Sequence, residues 1–246
     1  MFEFLLDHQF WVGLGQIILI NIVLSGDNAV VIALAARSLP PRQQKLAVLW
    51  GAGAAVVMRI ILTVVAVELL RYPYLKIVGA LLLFWIAVKL LMPEDGDDGD
   101  VESSDNLWSA IKTILIADLV MSLDNVIAVA AAAKGSLLLL VLGLAISIPL
   151  VIFGATLLMK LMDRWPIIIT IGAGLLGWVA GEMLVTDPLV KDWVDTSAAY
   201  LHWLSPATGV VLVVVAGKWL AARAEAARRE VVDLAGEQSQ AKPSQH

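Results

Sequence analysis

Three aspartates stand inside apolar stretches of this chain, each with amide or hydroxyl residues around it. Asp27 lies in Ile17–Arg37, IILINIVLSGDNAVVIALAAR, and Asp118 and Asp124 lie in Ile114–Lys134, ILIADLVMSLDNVIAVAAAAK. The two segments align without a gap at an offset of 97 residues, so that Asn21, Ser25, Asp27 and Asn28 fall on Asp118, Ser122, Asp124 and Asn125. Asn21, Ser25 and Asn28 recur at i, i+4 and i+7, one face of a helix, and Asp118, Ser122 and Asn125 repeat that face. Their carboxylate, amide and hydroxyl oxygens are hard ligands. Such a set suits Mg²⁺, Ca²⁺ or Mn²⁺ and does not suit Cu⁺ or a thiolate-seeking metal. Met121 is the single soft donor nearby and would tilt the preference towards Mn²⁺, although a methionine on such a helix is more commonly packing.

Arg59, in the middle of another apolar run, is the one basic residue expected at this depth. Two roles are open to it: a permanent ion pair with one aspartate, or a counter-charge that takes the site when a cation leaves. Three carboxylates against one guanidinium leave a charge that a divalent cation would balance. Glu68 and Glu182 fall towards the outer ends of their helices. Glu182 with Asp187 is a candidate outer exit path, weighed against simple interfacial snorkelling. The histidines His8, His202 and His246 fall outside the apolar runs and cannot complete a zinc site with the aspartates. There is no cysteine, which excludes disulfide frameworks, iron–sulfur clusters and thiolate zinc.

The elements that hold these residues must be membrane helices. Of 246 residues, 60% are apolar and 16% charged, against roughly 45–50% and about 25% in soluble domains. Apolar runs predict seven transmembrane helices, at Phe10–Ala36, Leu46–Leu70, Tyr74–Met92, Leu107–Ala133, Ser136–Met162, Pro166–Thr186 and Pro206–Ala222. Trp11, Trp50, Trp108, Trp165, Trp203 and Trp219 fall near the ends of these runs, at headgroup level. An ionisable residue at mid-bilayer costs on the order of 2.5–3.5 kcal/mol, so three aspartates there call for a compensating function. With the amino terminus outside, Arg71, Lys76, Lys134 and Lys191 face out, while twelve of the 17 lysines and arginines face in. The positive-inside rule thus predicts amino terminus out and carboxy terminus in the cytoplasm. Met1–His8 is acidic and lacks the basic start of a cleavable signal peptide.

Helices three and six also align: Pro73, Gly79, Ala80 and Trp85 fall on Pro166, Gly172, Ala173 and Trp178 at an offset of 93, whereas helices two and five resemble each other weakly. A unit of three helices is odd, so its second copy crosses in the opposite sense. The expected fold is therefore an all-α membrane protein of two inverted three-helix repeats plus one extra helix, an arrangement frequent in secondary transporters. The transmembrane domain, 1–222, divides into repeat one (10–92), an acidic cytosolic linker (93–106), repeat two (107–186), an outer loop (187–205) and a seventh helix (206–222). A charged cytosolic tail follows over 223–246, expected as a short helix that frays from Glu237. The linker carries seven of the 22 acids but misses the calcium-loop template, and reads as a solvated connector. Pro188–Leu204 is either an amphipathic surface segment or a plain loop. Gly26 would let helix one unwind locally, whereas Leu123 at the matching place in helix four would not. Pro149 beside Ser147 predicts a kink, and Ala173, Gly177 and Gly181 form a ladder of small residues for close helix approach.

The Ser25-Gly26-Asp27-Asn28 and Ser122-Leu123-Asp124-Asn125 motifs, the Gly-Ala patterns of helices three and six, and Gly181-Glu182-Met183 with Asp187-Pro188 resemble the TerC family of bacterial integral membrane proteins. The resemblance is to its short single-domain branch and covers roughly Gly15 to Pro188. It implies the lysine-exporter superfamily with its inverted repeats, a bacterial cytoplasmic (inner) membrane location, and divalent-metal handling, chiefly manganese export. It also implies that the acidic residues of helices one and four, here Asp27, Asp118 and Asp124, form the metal path; Asn21 opposite Asp118 makes the site charge-asymmetric. The expected function is a secondary transporter exporting Mn²⁺ through a midplane oxygen site by alternating access, with proton exchange as a coupling. The alternatives are a non-transporting scaffold or metallation factor for exported proteins, and an exporter of a small organic solute. An aspartyl-protease dyad of Asp27 and Asp124 is disfavoured by the repeated coordinating neighbours, so no enzyme is expected. The expected partners are a divalent metal ion and the lipid bilayer, with no nucleic acid and no cofactor beyond the transported ion.

Overall fold

The computed structural model describes residues 8–24, 26–69, 72–92, 103–133 and 136–240. They form α1 (His8–Leu24), α2 (Gly26–Ala36), α3 (Pro41–Leu69), α4 (Leu75–Leu91), α5 (Ser103–Ala133), α6 (Leu137–Arg164), α7 (Ile167–Val185), α8 (Lys191–Ser197) and α9 (Leu201–Gln240), with no strand among the described residues. Five of these helices, α3, α5, α6, α7 and α9, are long and apolar enough to cross a bilayer, and α1 with α2 would make a sixth span bent by 48°. The chain is thus a multi-pass membrane protein, with five or six such spans among the described residues where the apolar runs predict seven. The difference lies at α4. It occupies the predicted place, and its 17 residues extend about 26 Å at 1.5 Å per residue, at the short end of the roughly 17–25 residues of a transmembrane helix.

The break between α1 and α2 falls where Gly26 was expected to loosen the first helix; Ser25 itself lies outside the described residues. At the matching place α5 runs unbroken through Leu123, as a residue with a helix-forming side chain allows. The helix α6 also continues through Pro149. Most of the acidic linker lies outside the described residues, and α5 begins at Ser103, four residues before the predicted span. The segment predicted as an outer loop contains a short helix, α8, with Val194 buried and Trp193 exposed. The predicted seventh helix, Pro206–Ala222, is too short at both ends. Pro206 lies inside α9, and the strong helix formers Ala, Glu and Arg carry the helix on through the tail to Gln240.

The helices pack α3 on α5, α1 on α6, and α7 between α4 and α9. Small residues set the closest approach. A Cβ added at Gly177 would lie 2.6 Å from the Gly209 carbonyl oxygen, and Ser205 Oγ donates to the Gly181 carbonyl at 2.7 Å. The ladder of small residues on α7 is therefore the seat of α9. Apolar side chains such as Val57, Ile61, Phe153 and Ile171 point outward and are exposed, as a lipid-facing surface requires. The tryptophans predicted for the interface are all exposed, Trp11, Trp108, Trp165 and Trp203 near helix ends and Trp50 and Trp219 farther along α3 and α9. Cations lie over four indoles: Lys89 on Trp85, Lys112 on Trp108, Arg164 on Trp165 and Arg223 on Trp219, each 5.4–5.6 Å from the ring centre.

A candidate cation site at the centre of the bundle

Within the helices described, the polar residues converge on one point. Asn21 of α1, Arg59 of α3, Asp118 and Ser122 of α5, and Ser147 of α6 are all buried, and they form one hydrogen-bonded network. Each comes from the inward face of a helix whose other faces are apolar, so the helical period alone brings them together. The guanidinium is the hub. Arg59 Nη2 donates to Asp118 Oδ1 at 2.7 Å, Nη1 to Asn21 Oδ1 at 2.8 Å and Nε to Ser122 Oγ at 3.0 Å. Ser122 Oγ in turn donates to Asp118 Oδ2 at 3.2 Å. Asn21 Nδ2 donates to Ser147 Oγ, and Ser147 donates to the Leu144 carbonyl at 2.7 Å. An arginine this deep is tolerable only because its planar fork meets a carboxylate and two further oxygens at once.

Beside the network lies a cavity of about 20 Å³, lined by Asn21, Asn28, Arg59, Asp118 and Ser147 together with Ile32, Ala52, Ala55, Val56, Ile148 and Val151. That is room for one water molecule or one bare ion. Asn28 is 3% exposed, and neither its amide oxygen nor its amide nitrogen has a hydrogen-bond partner. A buried amide left unmatched costs about 1–3 kcal/mol. Among the polar groups that line the cavity, Asn28 alone has both side-chain polar atoms unmatched.

The sequence-predicted site residues divide accordingly. Asn21, Asn28, Asp118, Ser122 and Arg59 meet at this centre. Asp27 is half-buried at the start of α2, where its Oδ1 accepts the Asn28 backbone N–H at 2.8 Å. It does not line the cavity, although it lies within electrostatic reach of Arg59 and Asp118. Asn125 is half-buried on α5 and lies outside the lining. Ser25 and the side chains of Asp124 and Glu68 fall outside the described residues. Among the described residues no three His, Cys, Asp or Glu side chains gather; the three-carboxylate cluster expected from sequence includes Asp124, whose side chain lies outside them. Met121 packs in the apolar core.

Of the candidate exit-path residues, Glu182 is exposed on α7. Asp187 has another task. It is fully buried, and its carboxylate accepts backbone N–H groups from Tyr74 (3.1 Å), Lys76 (3.1 Å), Ile77 (3.4 Å) and Leu189 (2.9 Å). It caps the start of α4, taking up amides that have no partner within the helix. Ser147 is the residue of the network that sequence reasoning did not place at the site. Helices two and five are too dissimilar for a repeat alignment to point to it.

The chain matches the Integral membrane protein TerC family over residues 6–225. It is 45% identical over 182 residues to the Uncharacterized membrane protein YjbE of Bacillus subtilis, covering 74% of this chain and 83% of that protein. Similarity extends to Uncharacterized membrane protein YceF of the same species, at 27% over 190 residues and 74% of each chain. It extends also to UPF0053 inner membrane protein YoaE of Escherichia coli, at 33% over 144 residues, 51% of this chain and 28% of that longer one. No solved structure matches.

Proposed function

The chain belongs to the TerC family of integral membrane proteins, and from that premise we propose that it exports divalent metal ions, Mn²⁺ foremost, by alternating access to the central site. The observation that carries this reading is the unpartnered Asn28 amide facing a one-ion cavity whose wall also holds the Asp118 carboxylate. Oxygens of Asn21, Asn28, Asp118 and Ser147 in the wall, with Ser122 in the adjoining network, make a hard donor set, which favours Mn²⁺, Mg²⁺ or Ca²⁺ over softer metals. Asp27 and Asp124 are the further carboxylates of the path.

In this conformation Arg59 holds Asp118, so a cation gains that carboxylate by displacing the guanidinium. Arg59 then acts as a tethered cation. It neutralises Asp118 when the site is empty, and withdraws when Mn²⁺ supplies the charge. This spares the empty carrier an uncompensated buried carboxylate, which would otherwise have to take up a proton. The polar network sits where α1, α3, α5 and α6 meet, which supports a site at the interface of two repeats.

The test is ion flux into inside-out vesicles, with Mn²⁺, Mg²⁺ and Ca²⁺ offered to wild type and to Asp118→Asn. The expected result is saturable Mn²⁺ uptake in the wild type and its loss in the variant, with the protein still in the membrane. Flux of no ion in the wild type would replace this reading with the scaffold or metallation-factor alternative.

A further inference from the structure

Two contacts flank the central cavity, and they have the same construction. A Cβ added to Gly51 of α3 would lie 2.8 Å from Ile114 Cδ1 of α5, and one added to Gly143 of α6 would collide with Ile17 of α1, 2.9 Å from its Cβ. Ile114 and Ile17 are both buried and lie at the repeat offset of 97. Each isoleucine sits one helical turn before a polar site residue, Asp118 and Asn21 respectively.

Taking Gly51 with Gly143 aligns the second helices, which sequence alone left loose, at an offset of 92. The cavity wall then falls into matched positions: Ala55 with Ser147, Val56 with Ile148, and Arg59 with Val151. A twofold axis through the cavity would produce this pattern, with the charged groups placed on one side only.

We infer that Ile114 in the Gly51 notch and Ile17 in the Gly143 notch are the two seals of the site, one for each side of the membrane. This rests on the transport reading for its purpose but not for its geometry. Ile114 stands on a route. At the Arg37 and Lys89 end of the bundle a hollow of about 360 Å³ reaches Ala110 and Thr113 of α5. The next gap inward, too narrow for a water, is lined by Ile114, Val31, Ile32, Asn28 and Asp118, and it shares the last three with the site cavity. Along α5 the step from Thr113 to Asp118 is about 7.5 Å, and Ile114 occupies it. At the opposite side Ile17 packs with Val129, Leu140 and Leu144 in a separate apolar cluster. Glycine is required in each notch because any side chain would expel the isoleucine. Opening a seal means lifting the isoleucine out, which needs only a small shift between α3 and α5 or between α1 and α6.

The absence of native cysteine makes the test direct. Gly51→Cys with Ile114→Cys locks one seal; Ile17→Cys with Gly143→Cys locks the other. The Cβ separation of 3.4 Å at the first pair is near the roughly 3.5–4.5 Å that a disulfide needs, and at 2.9 Å the second pair needs α1 and α6 to part by about 0.6 Å. Ala55→Cys in the cavity wall is the reporter, labelled with a membrane-impermeant maleimide from either face of proteoliposomes. With the first pair oxidised, labelling from the Arg37 and Lys89 face should cease while labelling from the other face persists; the second pair should give the mirror result. Either crosslink should abolish Mn²⁺ flux, and reductant should restore it. Labelling that ignores which pair is locked, or undiminished flux through a locked seal, would overturn the inference. Sided labelling in a protein that moves no Mn²⁺ would uphold the seals and defeat the metal reading.

Discussion

Arg59 and Asp118 form a buried pair whose members cannot be lost singly without leaving a charge uncompensated. Removing one partner of such a pair costs about 3–5 kcal/mol, whereas neutralising both is far milder. Arg59→Gln should therefore lower the melting temperature in detergent more than Arg59→Gln with Asp118→Asn does. If Arg59 is a tethered cation, Mn²⁺ should restore the single variant and leave the double variant unmoved; a single variant indifferent to Mn²⁺ would make the pair purely structural. Asn28 gives the opposite balance. Asn28→Leu removes an unmatched buried amide and should raise the melting temperature, by up to about 1–3 kcal/mol of stability, while abolishing flux. A variant both stabilised and active would show that the amide is not a ligand. At this scale the sequence was readable where a residue was repeated: Asn21 and Asp118 were found because each marks the other. It was unreadable where charge alone had to stand for orientation. Asp187 read as an exit-path or snorkelling acid, yet its carboxylate turns back onto the amides at the start of α4.

At the scale of elements, the apolar runs located every major helix but misjudged their ends. Hydropathy tells where lipid is, whereas helix ends are set by caps and local propensity. Thus α9 outruns its apolar stretch on alanine, glutamate and arginine, and α4 begins where Asp187 can reach it. Pro206 would ordinarily argue for a helix start. Inside α9 it forfeits one hydrogen bond just past the first turn, and its Cα lies against Gly181, where close packing offsets that loss. The glycines of this seam admit no side chain. Gly177→Leu should drive α9 off α7 and leave little folded protein recoverable in mild detergent, judged by size-exclusion profile. The same substitution at Gly53, where nothing lies within 4 Å of an added Cβ, should leave the profile unchanged. Equal tolerance at both positions would mean that α9 is not seated by the small-residue ladder.

For the whole molecule, the remaining question is which end faces the cytoplasm, since that decides which seal a cytosolic ion meets first. The four cation-covered indoles lie at the end of α4, the start of α5, the end of α6 and well along α9. Arg37, which donates to the Leu90 carbonyl at 3.0 Å, joins the ends of α2 and α4 there. Tryptophan marks both interfaces, but basic residues beside it are what a cytoplasmic interface with anionic lipid favours. The charge bias counted along the sequence and the clustering in space thus point the same way. A green fluorescent reporter fused after α9 should be fluorescent in bacterial cells, and an alkaline phosphatase fusion at the same point should be inactive. The reverse pair of results would turn the molecule over. Ile17 rather than Ile114 would then be the cytosolic seal, and the hollow bounded by Arg37 and Lys89 would open to the outside, where a cation-repelling mouth would suit release of the ion rather than its capture.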